Sequence, residues 1–193
     1  MQIIGMNNCI EMLTRMSNMP HLAIISAPRG AGKSLLIKRI ATEKNLRLQY
    51  IGNKIDNIRE LIQDSVALEE PTLFAISEGD SMSLGAKNAL LKITEEPPKN
   101  CYIAMEITDI NSVLETIISR GTIFEIDRYS YQDLKKYAIE VLGMSDNEDT
   151  SNICQIATTP GDIKLYLEVG YKDCYNFAEM VFNNIMKVTT GNA

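Results

Sequence analysis

The 193-residue sequence has no tryptophan and only one histidine, His21. A single imidazole excludes the usual multi-histidine metal centres, and any aromatic stacking platform would depend on Tyr or Phe. The four cysteines, Cys9, Cys101, Cys154 and Cys174, include no C-x-x-C pair. A zinc site needs closer spacing, and a disulfide framework is typical of shorter and denser chains. We therefore expect reduced thiols in the protein core.

The sequence also lacks clusters of positive charge and long apolar runs. Its 19 Lys and Arg against 25 Asp and Glu give a net charge of −6. Such a balance is unlike that of a stand-alone nucleic-acid binder, so a contact with DNA would need the positive field of a partner. No basic residue precedes Arg15 and no apolar stretch approaches roughly 20 residues, which predicts neither a signal peptide nor a membrane partner. We expect a cytoplasmic protein.

The first two thirds of the sequence alternate between strand and helix patterns. Short apolar runs bounded by turn or polar residues predict five buried strands, at 22–26, 46–51, 72–76, 101–107 and 122–126. Segments with a periodicity of about 3.6 residues follow the first three of them and predict helices. This alternation favours an α/β fold with a five-stranded, parallel, doubly wound sheet between helices.

After residue 126 the strand patterns stop and helical patterns continue. Ser130 and Asp133 have the spacing of a capping box, and an apolar stripe over 134–142 follows and ends at Gly143. A polar connector over 145–152 comes next, and Pro160 begins another helix. A longer amphipathic pattern covers 171–185. The sequence thus predicts a nucleotide-binding α/β domain of residues 1–127 and a small all-helical lid domain of residues 128–193.

The sharpest local feature is the segment 27–34, A-P-R-G-A-G-K-S, between the first strand and the first helix. The phosphate-binding P-loop pattern is G-x-x-x-x-G-K-[ST], and Gly32, Lys33 and Ser34 match it. Ala27 stands where the first glycine belongs. The strand before the segment and the helix after it favour a P-loop over a glycine-rich turn with an accidental Lys-Ser pair.

The residue types of this segment suit phosphate chemistry. Glycine lets successive backbone N–H groups turn inward around phosphate oxygens, and Gly30 supplies the backbone conformational freedom that Ala27 lacks. The helix N-terminus adds its dipole, Lys33 neutralises phosphate charge, and the Ser34 hydroxyl ligates magnesium.

A second acidic segment follows the strand at 72–76. P-loop ATPases place an Asp at the carboxyl end of such a strand to hold the magnesium shell, and a Glu after it to polarise water. Here Glu78 fits the base, whereas Ser77 stands in the place of the Asp. On these residues alone, a plain acidic loop remains the alternative.

The sequence from Asp80 onward resembles the AAA+ module of bacterial DNA polymerase III clamp-loader subunits of the delta-prime and gamma/tau kind. The most specific matches are N-A-L-L-K at 88–92 and E-E-P-P at 95–98. Further elements similar to that family follow its order along nearly the whole chain: I-G-M at 4–6, I-D-N-I-R-E-L-I at 55–62, T-I-I-S-R at 116–120 and P-G-D-I-K at 160–164.

The resemblance implies a function. Modules of this family bind ATP with Mg²⁺ at the subunit interfaces of a pentameric ring, and hydrolysis releases a sliding clamp onto primed DNA. The implied partners are other clamp-loader subunits, the sliding clamp and, through the assembly, primed DNA.

The resemblance also implies site residues. Those that would hold the nucleotide are Ile4, Pro28, Arg29, Gly30, Ala31, Gly32, Lys33, Ser34 and Leu35. Ser34 would also ligate the metal. The implied catalytic residues are Glu78 to orient water, Thr108 as first sensor, Arg120 as arginine finger toward a neighbour's ATP, and Lys164 as second sensor. The alternatives are a strand-end cap for Thr108, a surface charge for Arg120 and a solvated helix charge for Lys164.

The sequence departs from the family at several points. Ser77 removes a carboxylate from the metal shell and Lys164 stands in place of an arginine. We also expect a form without the family's zinc module and C-terminal collar domain. We expect an ATP-binding clamp-loader subunit in which Lys33, Ser34, Glu78 and Arg120 support catalysis, with hydrolysis slowed by the missing carboxylate. The alternative is a non-hydrolysing, delta-prime-like subunit that donates Arg120 to a neighbour. An unrelated AAA+ ATPase is disfavoured by the motifs at 88–98. A small-molecule kinase is disfavoured because Arg128 is the only arginine after residue 126.

Overall fold

The structure of the chain is a computed structural model that describes residues 4–171 together with Asn176 and Met180. It comprises two compact units, of which the first ends at Arg128 and the second begins at Tyr129. No helix among these residues is long and apolar enough to cross a membrane.

The first unit is built on a parallel sheet of five strands in the order β2-β3-β4-β1-β5. The strands are β1 (Leu22–Ser26), β2 (Arg47–Ile51), β3 (Thr72–Ile76), β4 (Cys101–Ile107) and β5 (Thr122–Glu125). The predicted five-stranded parallel sheet is confirmed. The strands β1, β3 and β4 are near-continuous apolar runs because the middle of a parallel sheet is covered on both faces. The expectation that all five strands are buried is wrong for the edge strands β2 and β5, most of whose residues are exposed or half-buried.

Five helices accompany the sheet: α1 (Asn7–Arg15), α2 (Lys33–Glu43), α3 (Ile55–Ser65), α4 (Leu84–Glu95) and α5 (Glu115–Ile118). Periodicity predicts α2, α3 and α4. The helix α1 is not predicted, although its buried residues Cys9 and Leu13 have the spacing of one helix face; no side chain caps its N-terminus. Periodicity does not predict α5, which is a single turn.

One core cluster of the first unit lies between the sheet and the helices α3 and α4, and α2 also buries Leu36, Ile37 and Ile40. Phe74, Ile76 and Ile103 of the sheet pack in one cluster with Leu61 of α3 and Leu90 of α4. This packing holds the middle strands firmly and thereby fixes the loops at their carboxyl ends, where ligands of open α/β sheets bind.

Three of the four cysteines, Cys9, Cys101 and Cys154, are buried free thiols. Burial raises the pKa of Cys101 to about 11. The pKa of Cys9 is also raised to about 11, by burial first and then by Asp127 and Glu125. Because the thiolate is the reactive form, such cysteines are inert components of the core.

The second unit is helical as far as it is described. Its helices are α6 (Tyr131–Lys136), α7 (Glu148–Ile156) and α8 (Pro160–Glu168), and a π-helical turn at Tyr137–Val141 continues α6. The capping box at Ser130 and Asp133 is present, and Gly143 has a φ of 69° where the helical path ends. The pattern expected over 171–185 lies largely outside the described residues.

The predicted polar connector over 145–152 is wrong in its second half, where α7 begins at Glu148. The Asn147 side chain caps this helix by accepting a hydrogen bond of 2.9 Å from the backbone N–H of Thr150. Thr150 is buried, and its hydroxyl donates to the carbonyl of Ser145 at 2.7 Å. Its polar group is thus satisfied locally, which lets a polar residue face the core.

Candidate phosphate-binding site

The loop between β1 and α2 turns on two glycines in the left-handed region, Gly30 with a φ of 82° and Gly32 with a φ of 92°. Gly32 is also the N-cap of α2. Ala27 is buried and is not among the described residues with positive φ; its N–H donates to the carbonyl of Ile107 at 3.2 Å. Alanine can therefore adopt the backbone conformation at position 27, where P-loops have their first glycine.

The remaining loop residues differ in exposure. Pro28 and Arg29 are exposed, Ala31 is buried and Leu35 is half-buried. The carbonyl of Pro28 accepts from the N–H of Ala31 at 3.3 Å, which closes the loop into a turn. The first N–H groups of α2 have no partner within the helix, so the loop presents donors and the positive end of the helix dipole together.

The Lys33 ammonium is folded back over the loop. Its Nζ donates to the carbonyl oxygen of Ala27 at 2.6 Å and to that of Pro28 at 3.0 Å. Partial burial lowers the pKa of Lys33, against the opposing influence of Glu106 and Asp80. The positive charge is thus held above the loop by carbonyl oxygens and is drawn toward carboxylates at the ends of neighbouring strands.

A carboxylate that the sequence did not single out lies beside the loop. The hydroxyl of Ser34 donates to Oε1 of Glu106 at 2.7 Å. Glu106 is the sixth residue of β4 and is 7% exposed. In the sequence, Glu106 is visible only as the one acidic residue within the apolar run C-Y-I-A-M-E-I. A strand pattern alone does not indicate that such a residue has a function.

The loop after β3 is held in one conformation by its backbone. Glu78 is exposed and has left-handed dihedral angles of φ 54° and ψ 47°, which are uncommon for a residue with a side chain. Its carbonyl accepts from the Asn53 side chain at 3.2 Å and from the Ser81 hydroxyl at 2.8 Å. At Gly79, a Cβ would lie 2.5 Å from Cγ of Met105, so only glycine fits against β4.

Asp80 connects this loop to the loop after β4. Its carboxylate accepts from the N–H of Thr108 at 2.7 Å, from the N–H of Asp109 at 3.2 Å and from the Ser112 hydroxyl at 2.8 Å. Partial burial works to raise the pKa of Asp80, but these hydrogen bonds together outweigh it and leave the pKa lowered. Thr108 itself is exposed, at the carboxyl end of β4.

Arg120 lies at the other edge of the sheet. Its guanidinium donates to Oε1 of Glu95 at 3.0 Å and to the carbonyl of Thr116 at 2.7 Å. It precedes β5 by two residues, and a Cβ on Gly121 would lie 2.7 Å from Cδ1 of Ile24. Because all strands are parallel, Arg120 is at the edge where they begin, whereas the phosphate loop is at the edge where they end.

The structure brings the loop 27–34, Glu78 and Thr108 to one edge of the sheet. Ile4 is half-buried, three residues before α1. The Cys9 thiol of that helix donates to the carbonyl of Glu125 at 3.1 Å, and Glu125 pairs with Ser26 at the end of β1. The amino-terminal segment is therefore anchored at the same edge.

Lys164 is exposed on α8 in the second unit. Its role as a second sensor stays a prediction, as do the roles of the other predicted site residues.

The donor set fits a magnesium ion of the P-loop type. Among residues 4–171, no group of three or more His, Cys, Asp or Glu is arranged to hold a metal by itself. A P-loop magnesium needs no such cage, since phosphate and water oxygens supply most of its ligands. The protein has to add a hydroxyl and a carboxylate, and Ser34 and Glu106 are within hydrogen-bonding distance of each other here.

The five-stranded sheet and the loop on the N-terminus of α2 together define a P-loop protein of the AAA+ class. Solved structures agree with this fold: the Holliday junction branch migration motor RuvB of Thermotoga maritima superposes with a TM-score of 0.68 at 19% identity, over 83% of this chain and 59% of that one.

The family is narrower than the fold. The family model described as DNA polymerase III, delta subunit, matches residues 7–130, and the chain belongs to this family. Among curated proteins, DNA polymerase III subunit gamma of Buchnera aphidicola (subspecies Schizaphis graminum) is 24% identical over 228 residues, covering 98% of this chain and 61% of that protein. Subunit tau of Bacillus subtilis is 28% identical over 144 residues, covering 58% and 25%.

The chain therefore spans about three fifths of the Buchnera protein's length and a quarter of the Bacillus protein's. The resemblance to polymerase III clamp-loader subunits that the motifs indicate is confirmed at the level of the family. The narrower prediction of a delta-prime subunit stays a prediction.

Proposed function

We propose that this chain binds ATP with Mg²⁺ as an AAA+ subunit of a DNA polymerase III clamp loader and so supports ATP-dependent loading of the sliding clamp in DNA replication. The observation that carries the proposal is the geometry of the loop. Left-handed Gly30 and Gly32 open the N-terminus of α2, and Lys33 and Ser34 are the first residues of that helix. This is the arrangement that backbone cradling of phosphates requires.

In this proposal residues 1–127 form the nucleotide-binding domain and residues 128–193 form the lid. The N–H groups of residues 29–35 surround the phosphates, Pro28 before them having no N–H to donate, and Ile4 contributes to the base side of the site. The Lys33 ammonium exchanges the carbonyls of Ala27 and Pro28 for phosphate oxygens. Ser34 supplies a hydroxyl ligand to the metal, which when bound neutralises phosphate charge.

Glu78 and Thr108 act at the same edge of the sheet. The exposed Glu78 carboxylate orients the attacking water, and Thr108 contacts the terminal phosphate as first sensor. Their loops are tied together by Asp80, whose carboxylate accepts from the backbone N–H of Thr108. Lys164 serves as a second sensor that offers a point charge rather than the planar fork of an arginine.

Arg120 serves a different nucleotide from the one that its own chain binds. It precedes β5 by two residues, at the edge opposite to the phosphate loop, so its charge is available to a neighbour's ATP in trans. Its pairing with Glu95 supports a side chain that is held in place before a partner docks, with 34% of its surface exposed.

A second candidate function rests on Ser77. A subunit that lacks the carboxylate at the end of β3 can bind nucleotide without hydrolysing it and act as a structural member of the ring that donates Arg120. The two candidates share nucleotide binding and differ in whether Glu78 is used.

The partners in either case are other clamp-loader subunits, the sliding clamp and primed DNA. The relatives are themselves named as subunits of a polymerase. A net charge of −6 supports contact with DNA through the assembly rather than by this chain alone. The proposed role in bacterial replication calls for a cytoplasmic protein.

Nucleotide binding is tested by titrating the full chain with a fluorescent ATP analogue in Mg²⁺. We expect saturable binding that Lys33→Ala weakens by about 10- to 100-fold, because the variant loses a charge-assisted contact to phosphate. Lys38→Ala, which removes an exposed lysine from the same helix, is the matched control and should bind like the wild type. Absence of binding, or equal affinity in the Lys33 variant, would contradict the proposal.

A further inference from the structure

Glu106 is a buried carboxylate in a strand whose other buried residues are apolar. It is 7% exposed, and burying an unpaired charge is costly in any protein interior. The Ser34 hydroxyl donates to it at 2.7 Å, and the groups that interact with its charge are Lys33 and, on β2, Tyr50. Ser34 and Lys33 belong to the phosphate loop, so this carboxylate is linked directly to that loop.

The register of the sheet relates Glu106 to the residue missing from the metal shell. Ile76 of β3 pairs with Met105 of β4, so Ser77 follows at the level of Glu106. On the other side, Glu106 pairs with Ile25 of β1. Residues at one level of neighbouring parallel strands lie on the same face of the sheet. Glu106 thus occupies the level and face of position 77, one strand nearer to β1.

We propose that Glu106 provides the carboxylate of the magnesium shell that Ser77 does not provide. P-loop NTPases hold Mg²⁺ with the P-loop hydroxyl and an aspartate at the end of a nearby strand. Here the P-loop hydroxyl donates directly to Glu106, so the same two ligand types, both oxygen donors that Mg²⁺ prefers, already lie together. The inference rests on the proposed nucleotide function and locates the metal-binding carboxylate on β4.

The position of the charge has a measurable consequence. Without a metal, the Glu106 carboxylate repels the phosphates that the loop attracts. A magnesium ion between them converts this repulsion into attraction. Nucleotide binding therefore depends on Mg²⁺ through Glu106. A carboxylate that merely obstructed the site would weaken binding equally with and without the metal.

The experiment compares the affinity of the full chain for a fluorescent ATP analogue in excess Mg²⁺ and in EDTA. We expect the wild type to bind at least about tenfold more tightly in Mg²⁺. Glu106→Gln, which keeps the shape and removes the charge, should lose about 10- to 100-fold in Mg²⁺ and lose nothing in EDTA. Glu125→Gln makes the same change at an exposed position of β5 and should keep the wild-type ratio.

A double variant, Ser77→Asp with Glu106→Ala, moves the carboxylate back to the end of β3 and should recover much of the Mg²⁺ dependence. Two results would overturn the inference while leaving nucleotide binding intact. They are equal wild-type affinity in Mg²⁺ and EDTA, and an unchanged Mg²⁺/EDTA affinity ratio in Glu106→Gln, including the case in which that variant binds more tightly by one factor in both conditions. The first of these needs no variant and so does not depend on whether a variant folds. Absence of wild-type binding in both conditions would instead overturn the proposed function, and the inference with it.

Discussion

At the scale of single residues, the shape of the phosphate loop depends on the positions at which its backbone adopts left-handed dihedral angles. Gly30 and Gly32 have φ values of 82° and 92°. An L-residue with a side chain pays roughly 1–3 kcal/mol to adopt such a conformation. Ala27 has no such requirement, which explains how the loop keeps its shape although one glycine of the P-loop pattern is replaced.

A pair of opposite substitutions tests this account. Gly32→Ala should weaken binding of the ATP analogue and lower the free energy of unfolding by about 1 kcal/mol, because alanine must adopt a positive φ at the N-cap of α2. Ala27→Gly restores the P-loop pattern and should leave nucleotide affinity unchanged. Binding titrations and thermal unfolding of both variants give the two quantities. An affinity gain in Ala27→Gly would show that position 27 limits the loop after all.

Single residues are also where sequence reasoning was incomplete. The pattern G-K-S identifies Lys33 and Ser34 because its residues are adjacent in the chain. Glu106 lies 72 residues from Ser34 and meets it only because β4 is the neighbour of β1 in the sheet. The partner of Arg120, Glu95, is likewise brought to it by the packing of α4 and α5.

At the scale of elements, the start of α8 shows how a polar network sets a boundary. The Thr159 hydroxyl accepts from the N–H of Asp162 at 3.2 Å. The Asp162 carboxylate in turn accepts from the N–H of Thr158 at 2.9 Å and from that of Thr159 at 2.8 Å. Partial burial works to raise the pKa of Asp162, but the hydrogen bonds from Thr158 and Thr159 together outweigh it and leave the pKa lowered.

The lowered pKa predicts how stability depends on pH. A depressed carboxylate pKa contributes stability that is fully present above the unfolded value, about 3.9, and is lost as the pH falls through the folded value. We expect Asp162→Asn to lower the free energy of unfolding by up to about 1 kcal/mol at neutral pH, and the difference from wild type to shrink in acid. Thermal unfolding of both proteins, followed by circular dichroism from neutral to acid pH, measures this difference in the free energy of unfolding.

The control for this change is Glu168→Gln, at the exposed C-terminal end of the same helix. The helix dipole disfavours a carboxylate there, so this variant should not be destabilised at neutral pH. If Asp162→Asn were equally destabilised at every pH, the effect would come from packing and not from the charge.

The elements differ in how well the sequence predicts them. The five strands are predicted within about a residue, and the apolar signal is strongest for β1, β3 and β4, because strands in the middle of a parallel sheet are covered on both faces. The start of α7 is missed because it depends on the Asn147 cap and on the burial of Thr150, a polar residue that satisfies itself locally. The sequence pattern alone cannot distinguish that arrangement from a polar loop.

At the scale of the whole molecule, the sheet separates the phosphate loop from Arg120, the proposed arginine finger. The phosphate loop follows β1 and Arg120 precedes β5, its parallel neighbour. Five residues at about 3.3 Å each put roughly 15 Å between the two edges. A ring of such subunits would combine the loop of one with the arginine of the next, which a single chain cannot do by itself.

The assembled clamp loader allows this arrangement to be tested. Arg120→Ala should leave the isolated chain's affinity for the ATP analogue unchanged. In the complex it should lower ATP hydrolysis at the neighbouring site by about 10³-fold, because the transition state loses the charge supplied in trans. Glu78→Gln should lower hydrolysis as well if this chain hydrolyses ATP, and should have no effect if the chain only donates Arg120.

Arg15→Ala, which removes an exposed arginine paired with Glu11 on α1, is the matched control in the same complex. Weaker nucleotide binding by the isolated Arg120→Ala chain would contradict a role in trans. Unchanged hydrolysis in the complex would contradict an arginine finger altogether.

Local patterns in the sequence are enough to specify several features of this protein. The alternation of apolar runs and periodic segments specifies the parallel sheet, adjacent residues specify the phosphate loop, and the motifs over 88–98 specify the family. Tertiary structure alone decided which distant groups meet, because strand order and register are set by packing across the sheet. This difference matters most for the carboxylate of the proposed metal site. The sequence, with Ser77 at the end of β3, indicates a lost metal carboxylate, whereas the fold puts Glu106 at the same level one strand away, against the Ser34 hydroxyl.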